Sequence, residues 1–147
     1  MNIVDNRQAA NKPTPTRPLP DPTEDDTRSF WAATGDRRFV YQQCADCGTM
    51  VFYPRAHCTG CLSGRLEEKT SAGIGTIYTY SVVRQSYHPF FRTLVPYVVA
   101  WIDLDEGPRF LSNVVDVAQP DLSLIGRRVQ IEWESHEELS IPLFRLS

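Results

Sequence analysis

The stretch QQCADCGTMVFYPRAHCTGCLSG, residues 42–64, decides how the chain is read. It holds all four cysteines, as two Cys-x-x-Cys pairs with ten residues between them. Three chemistries compete for such a stretch: a redox dithiol, a pair of disulfides, and a metal site. A redox dithiol needs only one pair, so a second at this spacing argues against it. Disulfides do not persist in a reducing compartment. The opening MNIVDNRQAANK has no apolar segment to serve as a secretion signal, so the chain is expected in the cytoplasm. The cysteines are then read as tetrahedral zinc ligands: Cys44, Cys47, Cys58 and Cys61. Gly48 follows the first pair and Gly60 sits inside the second, relieving the backbone where amides and thiolates crowd a metal. Between the pairs, TMVFYPR reads as a short strand stopped by Pro54. His57, beside Cys58, is another candidate ligand, but with four thiolates present a surface or outer position suits it better. Four thiolates leave no open position for water, so the metal is expected to hold a shape and not to catalyse.

Composition narrows the setting. At 147 residues the chain suits one domain, or a small module joined to a barrel. Its 41% hydrophobic content is enough for a core. A net charge of -3 gives no general attraction to nucleic acid or anionic membrane. No apolar run approaches the roughly 20 residues of a membrane helix.

Working outward from the cysteines, residues 1–20 are polar and carry Pro13, Pro15, Pro18 and Pro20, which reads as a disordered or extended tail. Residues 21–36 read as a helix, with Asp21 as N-cap, Pro22 at the first position, acidic Glu24, Asp25 and Asp26 in the first turn, and Gly35 as the stop. Phe30 and Trp31 on it either pack against the rest of the protein or form a partner-binding face. Residues 37–64 form the ribbon, opened by the strand RRFVYQQ. Residues 65–147 are rich in strand formers: a run to Ser86 bent at Gly73 and Gly75, a hairpin of strands 97–104 and 109–115 around Asp105–Pro108, the alternating RVQIEWE, and a final IPLFRL. Five strands without a long helix suit a closed barrel of the OB type. The fold class is thus mainly β, with an N-terminal helix, a zinc ribbon and a five-stranded OB barrel.

No catalytic constellation emerges. The histidines His57, His88 and His136 lie in no nucleophile-elbow or zinc-hydrolase motif. Glu67–Glu68 and Glu137–Glu138 are sequence neighbours that point to opposite faces of a strand, as solvated charges do. The loop QSYHPFFRTLVPY, 85–97, carries Tyr87, Phe90, Phe91 and Leu94, more large apolar residues than an ordinary exposed loop. It is read as a core lid, or as a partner interface or acyl channel, with Phe90 and Phe91 as the interface candidates.

The order of these motifs carries a resemblance. A Phe-Trp helix precedes C-x-x-C-G, then F-Y-P-R, then C-x-x-C; a G-x-G and a Tyr-rich strand follow, then PYVVAWIDLDEGPR and a late G-x-x-V-x-I. Over residues 22–147 the chain resembles the acyl-CoA-associated family that joins a rubredoxin-like zinc ribbon to an OB-fold domain and is named for a domain of unknown function. The resemblance implies a non-catalytic accessory subunit bound to a thiolase-like enzyme or, in some members, an acyl-CoA dehydratase. The partners of that family act in ketone-body or isoprenoid precursor synthesis, aromatic degradation and steroid side-chain degradation, where the thiolase-like partner can be an aldolase. It further implies a structural zinc on the four cysteines, a CoA thioester shared with the partner, and contact with partner or CoA near Phe52, Tyr53, Pro54 and Arg55.

Charge fits an acyl-CoA ligand on one half. Residues 37–92 hold seven Arg/Lys and three Asp/Glu, a balance of +4; residues 93–147 hold four and nine, a balance of -5. CoA phosphates favour arginine forks, and Arg55, Arg84 and Arg92 are the candidates. The bland reading is that 13 arginines against two lysines reflect gene composition. The competing function is a single-stranded nucleic-acid-binding OB module, with Tyr78, Tyr80 and Trp101 as stacking platform. The acidic balance and the lack of a continuous basic stripe count against it. A free-standing ribbon scaffold that binds neither CoA nor an enzyme is a third reading.

Overall fold

The structure is a computed structural model and describes residues 13–147. The expectation for the first twelve residues lies outside it. Helix α1 spans Arg28–Gly35 and leads into a three-stranded antiparallel ribbon sheet of β1 (Phe39–Cys44), β2 (Met50–Val51) and β3 (Leu66–Ser71), in the order β2-β1-β3. The remaining strands are β4 (Ile74–Val83), β5 (Tyr97–Leu104), β6 (Arg109–Val115), β7 (Arg128–Ser135) and β8 (Ser140–Leu146). They close into a barrel in the order β4-β5-β6-β8-β7, with β6 and β8 parallel and the other pairs antiparallel. A mainly β chain with a five-stranded closed barrel is thus what the strand pattern expected. A single helical turn, α2 (Pro89–Arg92), interrupts the apolar loop, and a 3₁₀ turn at Leu122–Leu124 precedes β7. The Phe52–Tyr53 and Val95–Pro96 peptides are cis.

Two details differ from the sequence reading, and a third adds to it. The helix starts at Arg28, seven residues beyond Asp21. The Asp21 carboxylate instead accepts bonds from the Thr23 amide and hydroxyl at 2.8 and 2.6 Å, a local turn that competes with helix entry. The run after Cys61 splits at Ala72–Gly73, and its first part, β3, pairs with β1 from Phe39–Ser71 to Cys44–Leu66. The ribbon sheet therefore takes a strand from beyond residue 64. The bend expected at the glycines falls at Gly73, and a second irregularity, a register shift, lies within β4 between Ile77 and Thr79.

One apolar core runs through helix, ribbon and barrel. Phe39 of β1 meets Phe110 of β6 edge-to-face at 4.9 Å, with Trp133 and Phe144 at 6.4 Å. Phe30 of α1 lies 5.9 Å from Phe39 and 5.7 Å from Phe52. Such aromatic pairs add about 0.5–1.5 kcal/mol each beyond their buried area. The alternation in β7 holds: Val129 is fully buried, and Ile131 and Trp133 pack against the core. Short α1 thus owes its place to the burial of Phe30 rather than to helix propensity.

Candidate metal centre and partner-facing surface

The two knuckles are built alike. The Cys44 amide donates to Thr49 O at 2.9 Å and the Gly48 amide to Cys44 O at 2.9 Å; the Cys58 amide donates to Ser63 O at 2.8 Å and the Leu62 amide to Cys58 O at 3.1 Å. Each turn thereby aims two sulfurs inward. All four Sγ atoms lie within 4.8 Å of one another, with Cys44–Cys61 at 3.6 Å and Cys47–Cys58 at 3.5 Å. A zinc with bonds of about 2.3 Å sets a tetrahedral edge near 3.8 Å, so the donor set fits zinc. The Gly60 amide donates to Cys58 Sγ at 3.2 Å, an outer contact of the kind that orients a thiolate. A Cβ at Gly60 would stand 2.8 Å from Thr49 Oγ1, so a larger residue there would have to displace that hydroxyl from Cys47 Sγ.

The thiols differ in acidity. Thr49, through its side chain and backbone, then Cys58, pulls the Cys47 thiol down to about 6. Backbone bonding from Cys47 leads the causes that lower Cys44. The Ser63 amide acts to lower Cys61, but Cys47 and Cys44 outweigh it and push Cys61 up to about 12. His57 stays exposed and outside the four-sulfur cluster. His88 Nδ1 accepts the Phe90 amide at 3.1 Å, and His136 Nε2 pairs with Glu134 Oε1 at 2.7 Å, so both have local structural roles.

The other candidate residues separate into three groups. Phe30 and Trp31 are 0% and 8% exposed. They are core side chains, so a partner-binding face formed by them is corrected to packing on ribbon and barrel. On the ribbon, Phe52 is half-buried against Phe110 at 5.0 Å, while Tyr53 is 45% exposed, its phenol pushed up by burial of its other side. Arg55 exchanges two backbone bonds with the Gln42 amide group, at 2.8 and 3.1 Å, leaving its side chain exposed. Beyond β4, Arg84 and Arg92 come together on one open cavity of about 420 Å³, with Gln85, Ser86, Tyr87 and Val95. Arg92 is steadied by the carbonyls of Ser86 and Tyr87 at 3.3 and 3.1 Å. Arg55 does not line that cavity. On the barrel exterior, Tyr78 and Trp101 are exposed, but Arg109 stacked on Tyr78 at 3.6 Å is paired to Asp103 at 2.6 Å, which removes the positive charge a nucleic-acid platform needs.

Arg17 is not legible in the sequence, because a proline-rich polar segment gives no sign of a docking point. Its guanidinium grips Glu134 at 2.5 and 3.0 Å and lies over the rings of Phe90 and Phe91 at 4.9 and 5.6 Å. Residues 13–20 are thus tied to the apolar loop and to β7. Burial raises the Glu134 carboxyl, but Arg17 and His136 outweigh it and hold it below its ordinary value. A carboxylate with a depressed folded pKa contributes stability above its unfolded pKa and loses it as pH falls through the folded one. Protection against amide exchange, relative to the intrinsic rate at each pH, should therefore fall in residues 13–20 and α2 on acidification below the ordinary carboxylate range. Arg17→Ala should produce the same change at neutral pH, at a cost of about 1 kcal/mol.

A closed four-sulfur ribbon sharing its core with an OB barrel defines a small zinc-ribbon protein whose metal site shapes a surface. Two family models cover this architecture: "ChsH2, rubredoxin-like zinc ribbon domain" matches residues 31–67 and "ChsH2, C-terminal OB-fold domain" matches 68–134. A "DUF35 domain-containing scaffold protein" of Methanothermobacter thermautotrophicus is 37% identical over 97 residues, 65% of this chain and 71% of the relative. A "Probable enoyl-CoA hydratase alpha subunit" of Thermomonospora curvata is 39% identical over 140 residues, 94% of this chain; the chain spans 42% of that relative's length. Among solved structures, an "Ltp2-ChsH2(DUF35) aldolase" chain superposes with TM-score 0.74 at 37% identity, covering 88% of this chain and 98% of that one. A DUF35 structure from Sulfolobus solfataricus, at 13% identity and TM-score 0.58, shares the fold. The chain belongs to the DUF35 family, in its ChsH2-type pairing of zinc ribbon and OB fold. Among the described residues no helix is long and apolar enough to cross a membrane.

Proposed function

We propose that the protein is a non-catalytic accessory subunit of a thiolase-like acyl-CoA enzyme, preferably an aldolase or thiolase of steroid or other bulky side-chain degradation. The zinc is structural: four thiolates complete its shell and leave no position for substrate. The observation that carries the reading is the 37% identity, over 98% of its length, to the DUF35 chain of an aldolase. The nucleophiles and bases come from the enzyme subunit. This chain supplies a rigid platform and part of the acyl-CoA surface.

The cavity of Arg84 and Arg92 suits the nucleotide end of CoA. Two guanidiniums with Ser86 and Tyr87 match the phosphates in charge and hydrogen bonding. Tyr53 and Arg55 on the ribbon face the partner in this reading. Arg84→Ala in the assembled enzyme should weaken apparent affinity for the CoA thioester about tenfold, with little change in turnover at saturation. An unchanged KM would remove Arg84 from the ligand site. The assembly itself is tested by affinity isolation of the tagged protein from its host, with mass spectrometry. A thiolase-like or hydratase-like enzyme in fixed proportion is expected; nucleic acid alone, or nothing, would overturn the accessory reading.

A further inference from the structure

Helix α2 is a single turn, too short to stand by its own backbone bonds. Its capping is local: His88 Nδ1 accepts the Phe90 amide at 3.1 Å, and the Arg92 amide donates to His88 O at 2.9 Å. None of its residues is buried, and neither Phe90 nor Phe91 belongs to the apolar core among the described residues. Something outside the loop has to hold it. Phe91 reaches the barrel at Tyr97, the first residue of β5, with ring centroids 6.2 Å apart. Arg17 supplies a second tie. Its guanidinium covers both phenylalanine rings on one side and grips Glu134 of β7 on the other. The Arg17 side chain is only 10% exposed, so the ion pair and the rings have replaced its water.

The loop so fastened carries half of the cationic cavity. Arg92 ends α2 and turns its guanidinium back onto the Ser86 and Tyr87 carbonyls. Ser86, Tyr87 and Arg92 therefore move as one hydrogen-bonded unit on the cavity wall. Arg84, on the same wall, directly follows β4, and the barrel sets its place. The two guanidiniums are thus fixed by different parts of the molecule, one by a barrel strand and one by the loop that Arg17 ties to β7. Like charges on one cavity repel, which drives the loop outward until an anion arrives. A tie that resists this lowers the ordering cost of binding. Arg17 lines a neighbouring pocket with Leu94, Tyr97 and Val117 and is absent from the cavity wall itself. With its charge matched by Glu134, its influence on an anion there runs through the loop.

We propose that Arg17 is a positioning residue for the Arg84–Arg92 anion site: by fastening α2 to β7 it holds Arg92 beside Arg84, ready to clasp the phosphates of CoA. The proposal rests on the reading of that cavity as part of the CoA site and adds what keeps it preformed. The coupling is reciprocal, so an anion that draws Arg92 toward Arg84 also steadies α2 and the strap of residues 13–20.

The test uses CoA as the probe and the assembly of the full-length chain with the enzyme subunit that copurifies with it, with affinity read by calorimetry. Arg17→Ala should weaken CoA binding about fivefold, with zinc content and subunit ratio unchanged. Arg92→Ala should weaken it about tenfold. The double variant should be no weaker than Arg92→Ala alone, because Arg17 then has nothing left to position. Arg17→Lys keeps a cation over the rings and should fall between wild type and Arg17→Ala. If Arg17→Ala does not assemble, Glu134→Gln takes the charge from its partner at nearly constant shape, and it should weaken CoA binding only when Arg92 is present. Losses that multiply in the double variant would overturn the proposal. So would Arg17→Ala, or in its place Glu134→Gln, binding CoA like wild type while Arg84→Ala and Arg92→Ala are impaired; the CoA reading would survive. Arg84→Ala and Arg92→Ala that both leave CoA affinity unchanged would sink the CoA reading and the proposal with it.

Discussion

Replacing Cys58 by serine, or Cys44 by serine, is expected to abolish zinc retention and partner assembly together. Both cysteines are almost fully buried, at 1% and 2% exposed, and each belongs to a different knuckle. Removing either leaves three thiolates and opens the tetrahedron. Structural zinc sites in small modules contribute apparent binding free energies of about 10–16 kcal/mol, so the loss falls directly on folding. The damage is not confined to the ribbon. Cys44 ends β1, and Phe39 at the other end of β1 packs on Phe110 of the barrel. A loss of about 4 kcal/mol or more is expected, with zinc content below a tenth of stoichiometric. Metal analysis, thermal melting and affinity isolation on one preparation check it. A variant that loses zinc yet assembles and supports full activity would remove the structural role of the ribbon.

Phe30→Ala should be comparably severe without touching a metal ligand. Phe30 is 0% exposed and its ring meets those of Trp31, Phe39, Phe52 and Tyr53 at 4.9 to 6.0 Å. It joins the helix to Phe39 and Phe52 of the ribbon, which in turn pack on Phe110 of the barrel. Truncation of such a phenylalanine costs about 3–5 kcal/mol through lost transfer energy and the cavity left behind. Denaturant melts should show a lower midpoint, while zinc content stays near one per chain. A change below about 1 kcal/mol would mean that α1 does not hold the two sheets together.

These two sites show where sequence is legible. Cysteine spacing specifies the metal centre because four thiolates from two tight turns have few other uses. The strands of the barrel are visible because β-branched and aromatic residues alternate between recognisable turns, as in Val129, Ile131 and Trp133. The junction between modules is less legible. Leu66–Ser71 reads as the start of a barrel strand, and only its pairing with β1 assigns it to the ribbon. The role of Phe30 and Trp31 depends on which face of a short helix is covered, which local pattern leaves open. Arg17 is invisible beforehand because its partners, Glu134, Phe90 and Phe91, lie more than seventy residues away. Arg84 and Arg92 were singled out by charge, and the fold brings them to one cavity while keeping Arg55 apart.

The most direct test of the accessory role is turnover of the acyl-CoA substrate by the purified enzyme subunit, measured alone and with this chain added back. This chain alone should be inactive, and adding it should raise the enzyme's activity to a plateau at a fixed ratio of the two proteins. Turnover by this chain by itself, or full activity of the enzyme without it, would contradict the accessory role.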